Sequence, residues 1–223
     1  SHDLRQPLQT LVLVQGLLAK SGADPEQAQL LSRFDETLIA MSGMLNTLLD
    51  INQIEAGVVL PERTAFPIGA LLHRMHDEFS YHAEARNLGF RMVESSASIH
   101  SDPQLLEQII RNLLSNALKY TRSGSVLLGC RRHADHLSIE IWDTGVGIPA
   151  QELQSIFDEY HQIDNSAREH GRGLGLGLSI ARRLAGLLGH QISVRSHHGK
   201  GSVFAIDVPL ADTAEAAMPR MAE

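Results

Sequence analysis

The sequence predicts an α+β protein in which an antiparallel helical hairpin is followed by a two-layer α/β sandwich. Two observations predict this division. Before about residue 57 the apolar residues recur at helical spacing, whereas after Pro67 helical and alternating strand patterns take turns. The break between Gly57 and Pro67 predicts a hairpin domain over residues 1–60 and a second domain over residues 66–210. The alanine-rich residues 211–223 are expected to form a mobile tail.

The first helix of the hairpin carries its apolar residues on one side. Leu4, Leu8 and Leu11 repeat at helical spacing, and His2 lies about 200° around the helix from Leu4. His2 is therefore expected to be exposed. A neutral imidazole is available as a nucleophile near pH 7, and the Asp3 carboxylate can hold one ring nitrogen and fix the tautomer. The alternative, for any of the 12 histidines, is a solvated surface side chain.

The second helix of the hairpin carries a heptad seam. Asp24 and Pro25 mark its start. Its apolar residues then alternate three and four apart, at Leu31, Phe34, Leu38, Met41, Leu45 and Leu48. A two-helix hairpin cannot bury such a seam alone, so the pattern favours a four-helix bundle formed by two chains. The alternative is that the seam packs against the second domain of the same chain.

The second domain alternates helices and strands. The predicted elements are a helix from about Pro67 to Arg86, a strand near Leu88 to Val93, a helix over Asp102–Thr121, strands over Ser125–Arg132 and His136–Asp143, a helix after Pro149, a helix beginning near Leu178, and two closing strands. Ser101 or Asp102 is expected to cap the helix whose first residue is Pro103.

Four glycines alternate with other residues just before the last predicted helix. Gly171, Gly173, Gly175 and Gly177 lie in the run HGRGLGLGLSI. Glycine permits positive φ and has no Cβ, so consecutive N–H groups can turn toward an anion, and the helix start adds its positive dipole end. The run therefore indicates a phosphate site, although glycines before helices also arise for packing reasons.

A carboxylate and two glycines follow one of the predicted strands. The segment DTGVGIP begins at Asp143, directly after the alternating strand residues that end in Ile139 and Ile141. A carboxylate at a strand end can accept a hydrogen bond from an exocyclic amine, while the backbone of Gly145 and Gly147 closes over a flat ring. This arrangement is typical of purine recognition.

The helix over Asp102–Thr121 has polar side chains beside its apolar stripe. Asn112, Asn116 and Lys119 fall on one flank, at spacings of four and three residues. Two amides and an ammonium group can hold a hydrated magnesium ion and the phosphates that it bridges. The alternative is an ordinary amphipathic helix with a solvated polar flank.

Together these segments resemble the nucleotide-binding domain of the GHKL superfamily, and specifically that of the sensor histidine kinases. The matching segments, in chain order, are an H box at Ser1–Leu8, an N box at Asn112–Thr121, a first glycine box at Asp143–Gly147, an F box at Phe157–Tyr160, a second glycine box at Gly173–Gly177 and a closing strand at Gly199–Pro209. The resemblance of the nucleotide-binding part covers roughly residues 66–210.

The resemblance implies that the chain binds ATP and Mg²⁺. The nucleotide-binding residues that it implies are Asn112, Asn116, Lys119, Tyr120, Asp143, Gly145, Gly147, Arg168, Arg172, Gly173, Gly175 and Gly177, with Asn116 at the metal. The polar segment Phe157–Arg172 would be a lid over the nucleotide. Family members often have threonine where this chain has Leu174, so phosphate binding would rest more on backbone N–H groups and on Arg168 or Arg172.

The resemblance also implies the reaction. His2 would accept the γ-phosphoryl group of ATP and pass it to an aspartate in the receiver domain of a response regulator, with Asp3 and Gln6 as further catalytic residues. Resembling kinases often carry Thr or Asn at the position of Gln6, so the longer glutamine predicts a phosphatase activity weaker than phosphotransfer. Two alternatives remain: a GHKL ATPase-type nucleotide switch, and a phosphatase-only scaffold that forms no phosphohistidine.

Composition and charge weigh against several other classes of function. The net charge of −7 argues against nonspecific nucleic-acid binding. The chain has no secretory signal and no apolar stretch long enough to span a bilayer, so no membrane contact is expected for this segment. The single cysteine, Cys130, fits a reducing, cytoplasmic compartment, and His197 and His198 are expected to face solvent. Because one residue precedes His2, a sensor segment is expected upstream.

Overall fold

The structure is a computed structural model that describes Phe34, Leu38, residues 56–163 and residues 175–211. The described residues of 60–163 and 177–211 form one compact unit, and the fold below is the fold of that unit. Apart from Phe34 and Leu38, the predicted hairpin lies outside the described residues, as do the predicted tail beyond Ala211 and most of the predicted lid.

The unit contains three α-helices and seven strands within its described residues. In chain order these are β1 (Thr64–Pro67), α1 (Gly69–Glu84), β2 (Gly89–Met92), β3 (Ser98–Ser101), α2 (Pro103–Tyr120), β4 (Ser125–Arg132), β5 (His136–Asp143), α3 (Gly177–Leu188), β6 (Gln191–His197) and β7 (Gly201–Pro209). The main sheet has the order β2-β4-β5-β7-β6, with β2 parallel to β4 and the other pairs antiparallel. Strands β1 and β3 form a separate antiparallel pair.

One face of the main sheet packs against the helices. On β5, Leu137, Ile139 and Ile141 alternate with the outward residues and are at most 1% exposed. The helical layer opposite them buries the apolar stripe of α2, formed by Leu106, Ile109, Ile110, Leu113, Leu114, Ala117 and Leu118. The predicted two-layer α/β sandwich is therefore confirmed.

Helix α2 begins as the sequence predicts, with Asp102 as its N-cap. The Oδ1 atom of Asp102 accepts hydrogen bonds from the N–H groups of Gln104 and Leu105, at 2.9 and 3.0 Å. Its Oδ2 atom accepts from the N–H of Glu62 at 2.8 Å. Pro103 occupies the first helical position, where its missing N–H costs no helical hydrogen bond. The capping carboxylate thus also ties the chain before β1 to the start of α2.

The helix predicted from Pro67 begins later than expected. Pro67 is the last residue of β1, and α1 begins at Gly69. The strand exists because Thr64 to Pro67 pair with Ser101 to Ser98 of β3. Neither four-residue strand has a local pattern of its own, so the sequence predicts neither.

The predicted helix after Pro149 is absent as an α-helix. The chain forms two short 3₁₀ helices there, Ala150–Glu152 and Ser155–Phe157. Ile156 is the single residue buried in these two turns, so there is no apolar stripe to hold a longer helix. The carboxylate of Glu152 instead accepts hydrogen bonds from Ser155 and His161, both at 2.8 Å, which stabilises a compact turn.

Further sequence expectations concern single residues and the membrane. His197 and His198 are exposed as expected, and the described residues contain no group of three or more His, Cys, Asp or Glu side chains that could hold a metal ion. Burial raises the pKa of the half-buried Cys130 thiol to about 12, so this thiol is protonated at neutral pH.

Across the part of the chain that the structure describes, no helix combines the length and apolar character needed to cross a bilayer.

His190 and Ser101 form a buried polar pair between the residues that follow α3 and those that precede α2. His190 Nε2 lies 2.7 Å from Ser101 Oγ, and the two residues are 8% and 0% exposed. His190 Nδ1 is buried and has no hydrogen-bond partner among the described residues. Burial, together with the electrostatic effect of nearby Arg63 and His100, lowers the pKa of His190 to about 4. The imidazole is therefore neutral in the folded protein.

We expect acid to destabilise the fold through His190. Its folded pKa lies below the ordinary value of 6.5, so the unfolded chain takes up more protons once the pH falls below 6.5. The stabilisation is complete above pH 6.5 and is lost toward pH 4, which amounts to about 2 kcal/mol between pH 7 and pH 5. Urea denaturation at both pH values measures this difference in the free energy of unfolding.

Two variants separate His190 from the other histidines. His190→Gln keeps a hydrogen-bonding side chain beside Ser101 that does not titrate, so it should remove most of the pH dependence. His82→Gln, at an exposed histidine, should keep it. The same pH dependence in wild type and in His190→Gln would contradict the assignment.

Candidate functional site

Helix α2 presents two amide side chains to the start of α3. A Cβ atom placed on Gly177, the first residue of α3, would lie 3.6 Å from Asn112 Oδ1 and 3.8 Å from Asn116 Nδ2. The first N–H groups of a helix have no intrahelical partner, and the dipole makes that end positive. The structure thus brings the two asparagines beside a helix end suited to phosphate.

The other end of α2 contacts the segment that begins at Asp143. The N–H of Val146 donates to the carbonyl of Tyr120, the last residue of α2, at 3.2 Å. A Cβ atom on Gly145 would lie 2.5 Å from the same carbonyl oxygen, so only glycine fits there. Asp143 and the end of α2 are therefore held side by side.

The carboxylate of Asp143 is half-buried and held by a backbone donor. Its Oδ1 atom accepts from the N–H of Gly145 at 2.8 Å. Ser202 lies beside Asp143 as its partner across β5 and β7. Burial raises the pKa of Asp143, and the hydrogen bonds from Gly145 and Ser202 oppose that rise. A desolvated carboxylate held in one orientation is a strong acceptor for an amine donor of a ligand.

Ser202 is a site residue that the sequence pattern does not predict. It pairs with Asp143 across β5 and β7, and its Oγ lies 3.0 Å from Ser196 Oγ on β6. Ser196 Oγ in turn accepts from the N–H of Ile148 at 2.8 Å. The serines therefore link the carboxylate to the loop that follows it. A serine directly after the glycine turn was the one available signal in the sequence. Its pairing with Asp143 is set by the register of β5 and β7, which the sequence does not show.

The loop after Asp143 is also held from its far side. Gly147 has φ of +66°, and a Cβ atom there would lie 2.2 Å from the His197 carbonyl oxygen. The N–H of Gly199 donates to the carbonyl of Val146 at 2.7 Å. The loop is thus clamped between the end of α2 and the turn from β6 to β7.

The asparagines and the carboxylate lie at opposite ends of one helix segment. Eight residues separate Asn112 from Tyr120, a rise of about 12 Å along α2. Lys119 Nζ lies 5.0 Å from the centre of the Tyr120 ring, and Tyr120 is 45% exposed. Asn112 and the loop that begins at Asp143 are therefore separated by about two turns of α2.

The predicted lid is anchored at its first residue. Phe157 packs edge to face against Phe204 of β7, with ring centres 6.4 Å apart, and Arg182 of α3 lies 5.6 Å from its ring. Glu159 forms an ion pair with Arg183. The F box therefore packs against β7 and α3 at its first residue. The part of the predicted lid from residue 164 to Arg172 lies outside the described residues.

Several predicted site residues lie outside the described residues. These are His2, Asp3, Gln6, Arg168, Arg172 and Gly173. Gly175 is described and has φ of +74°, a left-handed conformation that favours glycine. The roles of all these residues remain predictions.

Comparison with known proteins gives two family matches. Residues 101–212 match the family described as "Histidine kinase-, DNA gyrase B-, and HSP90-like ATPase". Residues 1–57 match the "His Kinase A (phospho-acceptor) domain". The two matches follow one another along the chain and together include both the predicted phosphoacceptor hairpin and the predicted nucleotide site.

Individual proteins agree with these matches. The chain is 34% identical over 221 residues to sensor histidine kinase GacS of Pseudomonas protegens, and 32% identical over 213 residues to sensor histidine kinase RcsC of Escherichia coli. It covers 24% and 22% of those proteins, so it spans about a quarter of their length. A crystal structure of full-length ShkA in complex with AMPPNP superposes with a TM-score of 0.81 at 25% identity, covering 95% of this chain and 45% of that one.

Proposed function

Because this chain belongs to the family of histidine kinase-, DNA gyrase B- and HSP90-like ATPases and carries both domains of a histidine kinase catalytic core, we propose that it transfers the γ-phosphoryl group of ATP to His2. One observation carries the proposal. Asn112 and Asn116 of α2 lie beside Gly177 at the start of α3. The carbonyl of Tyr120, at the end of α2, accepts a hydrogen bond from the loop that follows Asp143.

In this proposal the adenine binds beside Asp143. The carboxylate accepts a hydrogen bond from the exocyclic amine, and the backbone around Gly145 and Gly147 closes over the ring. Ser202 is a positioning residue, since it lies beside Asp143 across β5 and β7 and favours the ionised carboxylate. Tyr120, exposed at the end of α2, covers the edge of the adenine.

The phosphates bind where α2 meets the start of α3. The donors that we propose are the Lys119 ammonium, the backbone N–H groups of Gly173, Gly175 and Gly177, and the guanidinium groups of Arg168 and Arg172. The amide oxygens of Asn112 and Asn116 suit Mg²⁺, which prefers oxygen ligands and retains several waters. When bound, Mg²⁺ neutralises phosphate charge, and we assign its direct protein ligand to Asn116.

The chemical step is a displacement at the γ-phosphorus. The lone pair of a neutral ring nitrogen of His2 forms the N–P bond, the bond from phosphorus to the β,γ-bridging oxygen breaks, and ADP leaves. Asp3 holds the other ring nitrogen and favours the charge that develops on the imidazole. In a second step an aspartate oxygen of a response regulator takes the phosphoryl group from His2, which is released as neutral imidazole. Gln6 is proposed to orient water when phosphoaspartate is hydrolysed.

Incubation of the chain with γ-labelled ATP and Mg²⁺ tests the proposal. Label that is stable in base and labile in acid is expected, because phosphohistidine has that stability. Release of labelled phosphate with no protein-bound label would instead favour a nucleotide switch. The absence of both ATP binding and label would favour the phosphatase-only scaffold.

We expect Asn116→Ala to remove chiefly the magnesium-dependent part of ATP binding. The substitution deletes the oxygen assigned to the metal but leaves Asp143 and its hydrogen bonds in place. Calorimetry of ATP binding with and without Mg²⁺ separates the two contributions. Ser115→Ala, at an exposed position on the same helix, is the control and should bind like wild type. Equal losses of affinity for Asn116→Ala under both conditions would count against a role at the metal.

We further propose that the chain forms a homodimer through the seam of its hairpin. Of the seam residues, two are described: Leu38 is 2% exposed, whereas Phe34 is 44% exposed. An exposed aromatic residue on a heptad seam is a suitable contact for a second chain. Leu38 is already covered within one chain, so Phe34 is the better residue with which to test the dimer.

We expect Phe34→Lys to give a monomer, because a charge would have to be buried between the two chains. Light scattering at several protein concentrations measures the mass, and circular dichroism checks that the helices persist. Leu60→Lys is the matched control, since Leu60 is 80% exposed and lies outside the seam. A wild type that is monomeric at high concentration, or a Phe34→Lys protein of unchanged mass, would remove the support for the four-helix bundle.

A further inference from the structure

A row of side chains crosses the outer face of the main sheet, opposite the helices. The strand register places Arg91, Leu127, Trp142, Val203 and Arg195 side by side across all five strands. We call these five residues the outer stripe. The residues next to them along their strands, such as Leu128, Ile141 and Phe204, are buried on the helical side. Because successive side chains of a strand point to opposite faces, the outer stripe points away from the helices.

The centre of the outer stripe is apolar and exposed. Trp142 is 38% exposed, and the neighbouring Val93 at the end of β2 is 48% exposed. Leu127 and Val203 flank Trp142 and are only partly buried. Exposed aromatic and aliphatic side chains on adjacent strands make a continuous apolar surface rather than scattered residues.

The indole of Trp142 is held in one orientation. Its Nε1–H donates to Glu140 Oε2 at 2.9 Å, and the Arg195 guanidinium lies 5.9 Å from its ring centre. Glu140 Oε1 also lies 3.6 Å from Arg195 and 3.9 Å from Arg131. A preorganised side chain loses little conformational freedom when a partner binds. Tryptophan and arginine are also the residue types that contribute most to protein interfaces.

The exposed charge of this surface is positive, although the chain as a whole has a net charge of −7. The Arg195 side chain is 66% exposed, and Arg91 is exposed and has no ion pair among the described residues. The carboxylate nearest Trp142, that of Glu140, is 10% exposed and already contacts the indole, Arg195 and Arg131. Farther along the sheet, Asp207 lies 3.8 Å from His136. Two exposed guanidinium groups therefore flank an apolar centre: that of Arg91, which has no ion pair among the described residues, and that of Arg195, which also contacts Glu140.

The proposed kinase reaction makes no use of this surface. Asp143 follows Trp142 directly, so its side chain points to the helical face on which the nucleotide site lies.

We propose that the outer stripe is a docking surface for an acidic peptide segment of a partner protein, with apolar side chains interspersed among its carboxylates. The carboxylates would pair with Arg91 and Arg195, and the apolar side chains would cover Leu127, Trp142 and Val203.

Trp142 is the single tryptophan of the chain, so its fluorescence reports directly on the outer stripe. The full chain is titrated with three synthetic peptides of equal length: alternating Glu and Leu, alternating Lys and Leu, and alternating Glu and Ser. The Glu–Leu peptide is expected to shift the Trp142 emission to shorter wavelength, since the indole leaves water. The other two peptides should bind at least about tenfold more weakly, because each lacks one half of the complementarity.

A double variant tests the arginines. Arg91→Ala with Arg195→Ala should weaken binding of the Glu–Leu peptide by at least about tenfold. Arg74→Ala with Arg132→Ala removes the same charge elsewhere on the surface and should bind like wild type. Thermal denaturation checks that both proteins fold; if the double variant does not, Arg91→Ala alone is used, because Arg91 makes no ion pair among the described residues.

Three results would overturn the proposal. The first is a Trp142 emission that no peptide changes. The second is equal binding of the Glu–Leu and Lys–Leu peptides, or an equal loss in the two double variants. The third is an emission that changes when the protein is simply diluted, which would show that a second copy of the chain covers the outer stripe.

Discussion

Replacing His2 with glutamine is expected to abolish the acid-labile, base-stable label from γ-labelled ATP. Glutamine has no ring nitrogen that can attack phosphorus, so the acceptor is lost and the signal falls to background. The affinity for ATP should stay within about twofold of wild type, because every nucleotide contact that we propose is made by residues from Asn112 onward.

A matched histidine variant makes this result specific. His198 is exposed in the turn from β6 to β7, and His198→Gln should be labelled like wild type. Label that persists on His2→Gln would show that another side chain is the acceptor. Loss of ATP binding together with the label would mean that the variant disturbs the nucleotide site, and it would leave the acceptor assignment without support.

The sequence predicts those elements whose signals are local. The strands over Ser125–Arg132 and His136–Asp143 have the expected bounds, since alternation and a short turn define both. Helix α2 begins where Asp102 and Pro103 indicate, because a capping side chain and a proline act within one turn of the helix. Agreement at these points needs no information about distant residues.

Elements that depend on distant partners could not be predicted in this way. Strand β1 pairs with β3, which lies more than thirty residues further along the chain, and neither has a distinctive four-residue pattern. The helix expected after Pro149 fails because Ile156 alone is buried in its two turns. In each case tertiary contacts, rather than local preference, decide the backbone.

The same limit applies to the candidate site. Residue type and spacing single out Asn112, Asn116 and Asp143, because amides and a carboxylate beside glycine turns are rare combinations. Ser202 cannot be identified from the sequence, since its proximity to Asp143 follows only from the register of β5 and β7. The proximity of Gly177 to the asparagines likewise follows from how α3 packs beside α2.

Asp143→Asn is expected to weaken binding of ATP by about 1–3 kcal/mol, or roughly five- to 150-fold, because a charged acceptor for the adenine amine is lost. The same variant should keep or slightly increase the stability of the fold. Burial raises the pKa of Asp143, so its folded pKa lies above the unfolded value and the ionised carboxylate costs stability at neutral pH. A neutral amide removes that cost, and its oxygen can still accept from the N–H of Gly145.

Calorimetry with ATP and with adenosine, combined with thermal denaturation, measures both effects. Equal losses of free energy are expected for the two ligands, because the deleted charge acts on the adenine and not on the phosphates. Asp77→Asn is the control: its carboxylate is exposed on α1, and its replacement should change neither binding nor melting temperature. A loss for ATP without a loss for adenosine would place Asp143 at the phosphates. A lower melting temperature for Asp143→Asn would indicate a structural role for Asp143. Replacing a residue that binds ligand at the expense of stability should instead raise the melting temperature or leave it unchanged.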